Sequence, residues 1–400
     1  MAFSAREESP ATGRERFDFA SGGMPGEALH ALLAELRAEG SVVPVRFTGG
    51  AAWMITRHRA LATAFRDNER FPPGPAYART TEPAVGRSFI SMDGDEHRVY
   101  RTLATPAFRP RAVAAYDDAA MAALAHELVD GFEHEAEVDL VPRFAQRFPL
   151  LLICRLLGIP RDAEERFQDW ALGLLSFPYD PERARRAALE FTAYLQPILA
   201  ERRRAPRSDV ISELLAAEVE GRRLADEEVL SHVRLLFPTG AETTASGIGS
   251  LVFALLANAG LWERVRLRPE ERAWAVEELL RWENPVVSVP RVSASAPIEF
   301  EGACIDPETP VLFCIAAAHR DPEVFRDPAR YDLDRRATEL LAFGPGPRQC
   351  PGMHLARKEM RIALGVLCER LPRARLLDPE GSRPAGTVLR TAPSLRVALR

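Results

Sequence analysis

Two stretches of this chain combine residue types that do chemistry with backbone types that ordinary packing does not need. The first is "LAFGPGPRQCPGMH" at 341–354, where six of the ten positions from Phe343 to Gly352 are Gly or Pro and a lone Cys350 stands among them. Glycine lets backbone approach a flat partner closely, and proline stiffens the path. Cys350 is followed by Pro351 and the amphipathic run "GMHLARKEMRIALGVLCERL". That arrangement predicts a helix with Pro351 at its first position and Cys350 at its N-terminus, where the dipole and free N–H groups stabilise a thiolate. Such a sulfur serves as a nucleophile, with His354 as base, as a metal ligand, or only as structure. The loop alone does not choose.

The second stretch is "FPTGAETTASG" at 237–247, set in a mostly apolar helical pattern from Asp226 to Asn258. At 1.5 Å per residue that helix spans roughly 45–50 Å, enough to cross the interior. Pro238 removes an N–H, Gly240 weakens a turn, and Glu242, Thr243 and Thr244 are polar. Local rules broken inside a strong element often mark function. A proline kink beside a satisfied polar pair is the plainer reading.

These stretches must be held by a larger frame. Helical periodicity dominates from about residue 58 to 285, and strand patterns appear in "SVVPVRF", "AAWMITR", "VVSVPRVSA", "TPVLFCIAAA" and "TVLRTAPSLRVAL". The expected fold is mainly α with a smaller β portion drawn from distant segments, one domain over 26–400 behind a loosely held arm of 1–25. With 400 residues, 46% hydrophobic and 27% charged, the chain has a globular protein's composition. A net charge of −5 gives no case for nucleic acid or an anionic membrane. No terminal signal pattern or long uninterrupted apolar run appears, so the expectation is a cytoplasmic protein without membrane contact. Cys154, Cys304, Cys314, Cys350 and Cys368 include no Cys-x-x-Cys pair, against both a disulfide framework and a structural zinc site. All but Cys350 lie in apolar surroundings and are expected to be small buried hydrophobes.

The run Phe343-Gly344-x-Gly346-x-Arg348-x-Cys350-x-Gly352 resembles the haem-binding signature of the cytochrome P450 family in its Arg-bearing form. Other segments match in family order. "EELLR" supplies Glu278 and Arg281, "DPARYDLDR" supplies Arg330 as their third member, "TGAETT" resembles the oxygen-activating helix motif, and "DGDEHRVYR" carries His97 and Arg101. "AAHRDPEVF" resembles the segment before Arg330, with His319 where Asn is commoner. The matches run from about residue 40 to 400. They imply the P450 fold, a large helical domain with a long central helix over the haem and a small β-rich subdomain.

The resemblance implies haem b, with Cys350 as iron ligand and O2 as co-substrate. Phe343, Gly344, Gly346 and Gly352 would shape the cofactor loop, while His97, Arg101, Arg291 and Arg348 would meet the anionic propionates. Gly240 would leave room for O2, and Glu242 with Thr243 would supply the protons that O–O cleavage needs. Glu278, Arg281 and Arg330 would be structural. Pro238-Thr239 departs from the family's aliphatic-Ala, either fixing a kink or sending Thr239 into the substrate pocket. Pocket walls are expected between Phe71 and Ile90 and around Leu172–Leu195, with Phe89, Phe177, Phe237, Thr239, Val286, Val287, Val289 and Leu389 as lining. The implied protein is a monomeric monooxygenase of secondary metabolism. It would hydroxylate or epoxidise a small apolar or amphipathic molecule, of terpenoid, steroid, fatty-acid or polyketide-like class. Electrons would come from a ferredoxin and its reductase, docked by Arg98, Arg109, Arg111, Arg357, Lys358 and Arg361, although solvated helix faces explain these cations as well. A peroxide-driven peroxygenase or decarboxylase and a non-catalytic haem sensor or ligand carrier are the alternatives.

Overall fold

A computed structural model describes residues 17–400, so residues 1–16 of the expected arm lie outside the described residues. The chain divides into two compact units: residues up to Pro72, Glu277–Gln349 and Arg383–Thr391 form one, and Pro73–Val276, Cys350–Ser382 and Ala392–Arg400 the other.

The first unit is built on a sheet. Strands Val42–Phe47 and Gly50–Ile55 pair antiparallel with Val43 opposite Met54, around a turn in which Thr48 and Gly49 have positive φ. Strand Pro310–Cys314 runs parallel to Gly50–Ile55 and antiparallel to Ser288–Val292, which closes a four-stranded sheet from distant segments. Side chains alternate across it. Val311 and Phe313 join Ile55 and Phe71 in one apolar cluster, whereas Leu312 and Cys314 join Leu29, Leu33 and Met54 in another. Buried Glu283 pairs with His30 at 3.1 Å and with Arg390, whose guanidinium also donates to the Met24 carbonyl at 2.8 Å. From Asp18 onward the chain is held in place: Phe19 is buried and its N–H is bonded to the Arg46 carbonyl at 3.0 Å.

The second unit is helical around Asp226–Ala257, a helix of 32 residues that matches the expected span. Asp226, Glu227 and Glu228 fill its first turn, where acids complement the dipole, and Glu228 accepts the Ala225 N–H at 2.8 Å. Helices Arg147–Leu157, Glu164–Leu175 and Met353–Arg370 pack against it. Phe237 stacks on Phe191 at 4.4 Å within an aromatic cluster that includes Phe167 and Trp170. The helix is long and apolar enough to cross a membrane by composition, but most of it is buried inside the unit, as in a core helix.

The departures from expectation are local. Of "TVLRTAPSLRVAL" only Arg396–Ala398 forms a strand, paired between Arg375–Leu376 and Glu137–Asp139, two strands too short to show a period. Cys154, Cys314 and Cys368 are buried, but Cys304 is exposed, since alternation in the strand Ala303–Ile305 turns it outward.

Candidate active site

Between Val229 and Leu255 the central helix is buried at every residue except Thr239, Gly240, Glu242 and Thr243. The one accessible arc of a core helix therefore coincides with the motif. Pro238 is buried and the helix runs through it unbroken, leaving the Arg234 carbonyl without its usual i+4 donor. Thr239 Oγ1 donates to the Leu235 carbonyl at 2.6 Å, and Thr243 Oγ1 to the Thr239 carbonyl at 3.0 Å. Both hydroxyls thus keep lone pairs facing outward as acceptors. Glu242 reaches the neighbouring helix, where Gln168 Nε2 donates to its carboxylate at 2.8 Å. Burial pushes the Glu242 pKa up to about 7, although the Gln168 bond pulls it back. A Cβ on Gly240 would sit 2.9 Å from Ile153, so this glycine lets two helices approach.

In the same unit Cys350 precedes the helix Met353–Arg370 by a turn formed by Pro351 and Gly352. Pro351 is thus not the first helical residue. The N–H groups of Gly352 and Met353 nevertheless point at the sulfur, and the charges of Arg101 and Arg357 act on it. The residue is accessible, yet the protein around the thiol raises its pKa and outweighs these four groups. Helix-terminal donors alone therefore do not make the thiolate, and a cation at the sulfur would complete the balance. His97 and Arg101 lie one turn apart on helix Gly94–Ala104, His97 buried and Arg101 half-buried.

The remainder of the signature belongs to the first unit. Gly344 and Gly346 both have positive φ, and a Cβ on Gly346 would meet the Phe65 carbonyl at 2.8 Å. Phe343 and Arg348 are half-buried, and Arg291 is buried over the Phe313 ring at 5.2 Å. Glu278 and Arg281 form a buried pair at 2.7 Å. Their third member is Arg335, not Arg330: Arg335 Nε lies 3.2 Å from Glu278, whereas Arg330 is exposed and its carbonyl accepts from Arg281 at 2.9 Å and from Arg335 at 3.3 Å. Both arginines belong to "DPARYDLDR", and only the turn, in which Asp332 N–H also donates to Glu278, decides between them. His319 fills the Asn position with a defined task. Its Nε2 accepts the Leu341 N–H at 2.8 Å, so Nδ1 carries the proton given to the Leu280 carbonyl at 2.9 Å. Burial lowers its pKa to about 3, which keeps the ring neutral as this bridge requires.

Several expected pocket residues are packing residues. Phe237 and Val287 are wholly buried, Phe237 in the aromatic cluster and Val287 in the apolar cluster beside Leu312. Phe71 is likewise core. Phe89 is buried against His232 at 5.8 Å between ring centroids. Val286, Val289, Thr239 and Phe177 are half-buried, and Leu389, bridged to Val286, is 38% exposed. Gln168 and His232 carry contacts that no sequence motif announced.

A cytochrome P450 family model matches residues 273–372. The chain is 35% identical over 340 residues to the mycinamicin IV hydroxylase/epoxidase of Micromonospora griseorubida, covering 83% of this chain and 85% of that one. It is 31% identical to a polyketide biosynthesis cytochrome P450 of Bacillus subtilis (strain 168), with 84% of each covered. The solved structure of the myxobacterial cytochrome P450 CYP267B1 in complex with myristic acid superposes with a TM-score of 0.86 at 30% identity, covering 93% of this chain and 96% of that one. With such identity across most of both chains, this protein belongs to the cytochrome P450 family, as a bacterial-type monooxygenase that uses haem iron and O2 and takes its electrons from a redox partner.

Proposed function

We propose that this protein is a haem b monooxygenase in which Cys350 is the axial thiolate and Glu242 with Thr243 delivers protons. The observation that carries the reading is the accessible arc of the central helix, where an acid poised near neutrality stands beside a hydroxyl that can accept. The residues suit the group: the sulfur of an exposed cysteine has two N–H donors, the charges of Arg101 and Arg357 act on it, and a side chain is excluded at Gly346. When bound, a thiolate-ligated haem would supply the electron density that favours O–O cleavage, and O2 would supply the oxygen atom that is inserted. Glu242, able to hold a proton near neutral pH, passes it toward Thr243. Gly352 and Met353 steady the sulfur with their N–H groups. His97, Arg101, Arg291 and Arg348 are the cations for the propionates, and residues 26–400 act as one catalytic domain.

The substrate in this reading is a small apolar or amphipathic molecule that is hydroxylated or epoxidised. The hydroxylase/epoxidase, the polyketide enzyme and the myristic acid complex among the relatives support that class. The protein works as a cytoplasmic monomer with a ferredoxin and its reductase. The test is the ferrous carbonyl spectrum of the purified holoprotein, expected at about 450 nm; a band at about 420 nm would remove Cys350 as ligand. With a surrogate ferredoxin and reductase, Thr243→Ala should divert NADPH electrons from product to hydrogen peroxide. Unchanged coupling would take Thr243 out of the mechanism.

A further inference from the structure

Helix Arg147–Leu157 turns different faces to its two sides. Ile153 packs against Gly240 of the central helix. Leu151 and Arg155, two residues to either side of it and so on the opposite face, line a cavity of about 720 Å³ that lies wholly within the second unit. Helix Asp118–Asp130 forms a second wall with Ala120, Ala123 and Leu124, and its two alanines leave space that longer side chains would fill. The floor is apolar, since Leu124, Leu151, Ile159 and Ile198 are all buried. Arg202 fixes the remaining wall. Buried near the end of helix Pro181–Arg204, it donates to Asp209 at 2.5 Å and to the Gly158 carbonyl at 2.8 Å, which ties that helix to the end of Arg147–Leu157. The cavity is therefore framed by packed elements rather than by a loose loop.

Four arginines and three acids line this cavity, and every acid is already committed. Glu127 accepts from Arg161 at 2.9 Å, Asp209 from Arg202, and Glu201 from Arg202 at 2.8 Å and from Arg207. Arg155 is left over. It is exposed in the last turn of its helix, and among the described residues its guanidinium has no hydrogen-bond or ion-pair partner. We propose that the cavity is a binding site for an alkyl carboxylate, whose chain covers the floor of Leu124, Leu151, Ile159 and Ile198 and whose carboxylate is met by the Arg155 guanidinium. Ligand sites are typically clefts of roughly 300–1,000 Å³, mostly apolar, with a few polar groups that fix orientation. A guanidinium fork pairs with a carboxylate through two parallel hydrogen bonds. An exposed ion pair alone contributes little, so the floor and the cation are both needed, and loss of either must show. The site stands one helix away from Glu242 and Thr243 and does not rest on the haem-thiolate reading.

The experiment fills the active site first. Holoprotein saturated with clotrimazole, whose Soret shift reports that site, is titrated with octanoate by calorimetry. One octanoate should bind per chain while the Soret band stays in place. Arg155→Gln should weaken that binding about five- to tenfold. Ala123→Phe, which fills the cavity from an exposed position, should abolish it. Both variants should melt as the wild type does, because neither residue is buried. The neutral 1-octanol should bind the wild type no better than octanoate binds Arg155→Gln. No binding at millimolar octanoate, a Soret band that moves back as octanoate displaces the azole, binding unchanged in either variant, or equal binding of the alcohol would each overturn the assignment. A wild-type protein without the band at about 450 nm would overturn the haem-thiolate reading instead, and the same titration of the two variants without the azole would still decide for or against this site.

Discussion

Glu242 is half-buried with one amide donor, Gln168, and its pKa of about 7 stands well above the ordinary 4.5. The sign of its pH dependence follows. In the proposed relay the protonated acid is the donor, so coupled turnover should fall as pH rises through about 7, while peroxide release rises. Gln168→Leu removes the bond that holds the pKa down, so the falling limb should move to higher pH; a limb that stays put would detach Gln168 from the relay. Folding senses the same group. Because the folded pKa exceeds the unfolded one, the stability contribution is full below the unfolded carboxylate range and is lost as pH rises through about 7. Glu242→Gln should therefore melt higher than wild type above neutrality and level with it in acid. The acid and its threonine stand out in the sequence because they break helix rules inside an apolar run, and both fall on the accessible arc of the helix. Gln168 does not, being 74 residues away on an amphipathic helix where one more polar residue carries no signal.

Elements carry the next set of consequences. The two glycines that flank Cys350 look alike in sequence, yet their backbones differ. Gly346 has a φ of +109° and a Cβ position 2.8 Å from the Phe65 carbonyl, whereas Gly352 has a φ of −79° and a Cβ position in ordinary contact with Cys350 Sγ at 3.9 Å. Gly346→Ala should cost about 1–3 kcal/mol from its φ alone, seen as a lower melting temperature, while Gly352→Ala should melt close to wild type. Equal effects would mean that the loop is more pliant than its geometry states. The turn after the Glu278–Arg281 helix gives a similar contrast. Arg335→Ala should lower unfolding free energy by roughly 2–3 kcal/mol in urea, because it strips a charge from buried Glu278, while Arg330→Ala should stay within about 0.5 kcal/mol. The helix periods and the four strands of the sheet could be read from pattern, since each has enough residues to show a repeat. Choosing Arg335 over Arg330 could not, because both follow the same pattern and only the path of the turn separates them.

At the scale of the whole molecule, a chain with a net charge of −5 must still attract an electron donor, so local charge has to do what the total does not. Side-chain partners sort five of the six expected docking cations. Lys358, the only lysine, is engaged inward: its ammonium meets the Val113 and Tyr116 carbonyls at 2.8 Å each and Asp118 at 2.5 Å. Arg361 shares Asp118 at 3.2 Å, and Arg98 is paired with Glu220 at 2.8 Å. Arg109 and Arg111 remain exposed at the start of the short helix Pro110–Ala115, whose far end Lys358 holds through the Val113 and Tyr116 carbonyls. If an acidic ferredoxin is the donor, these two arginines set its encounter rate. The double change Arg109→Glu and Arg111→Glu should raise the KM for ferredoxin about tenfold at low salt, lose most of that effect at high salt, and leave the carbonyl spectrum and azole binding alone. Lys358→Ala should behave in the opposite way, lowering the melting temperature with little change in salt dependence, since it removes a cap on two carbonyls rather than a free charge. An electron-transfer rate indifferent to both arginines at low salt would place the donor's landing site elsewhere on the chain.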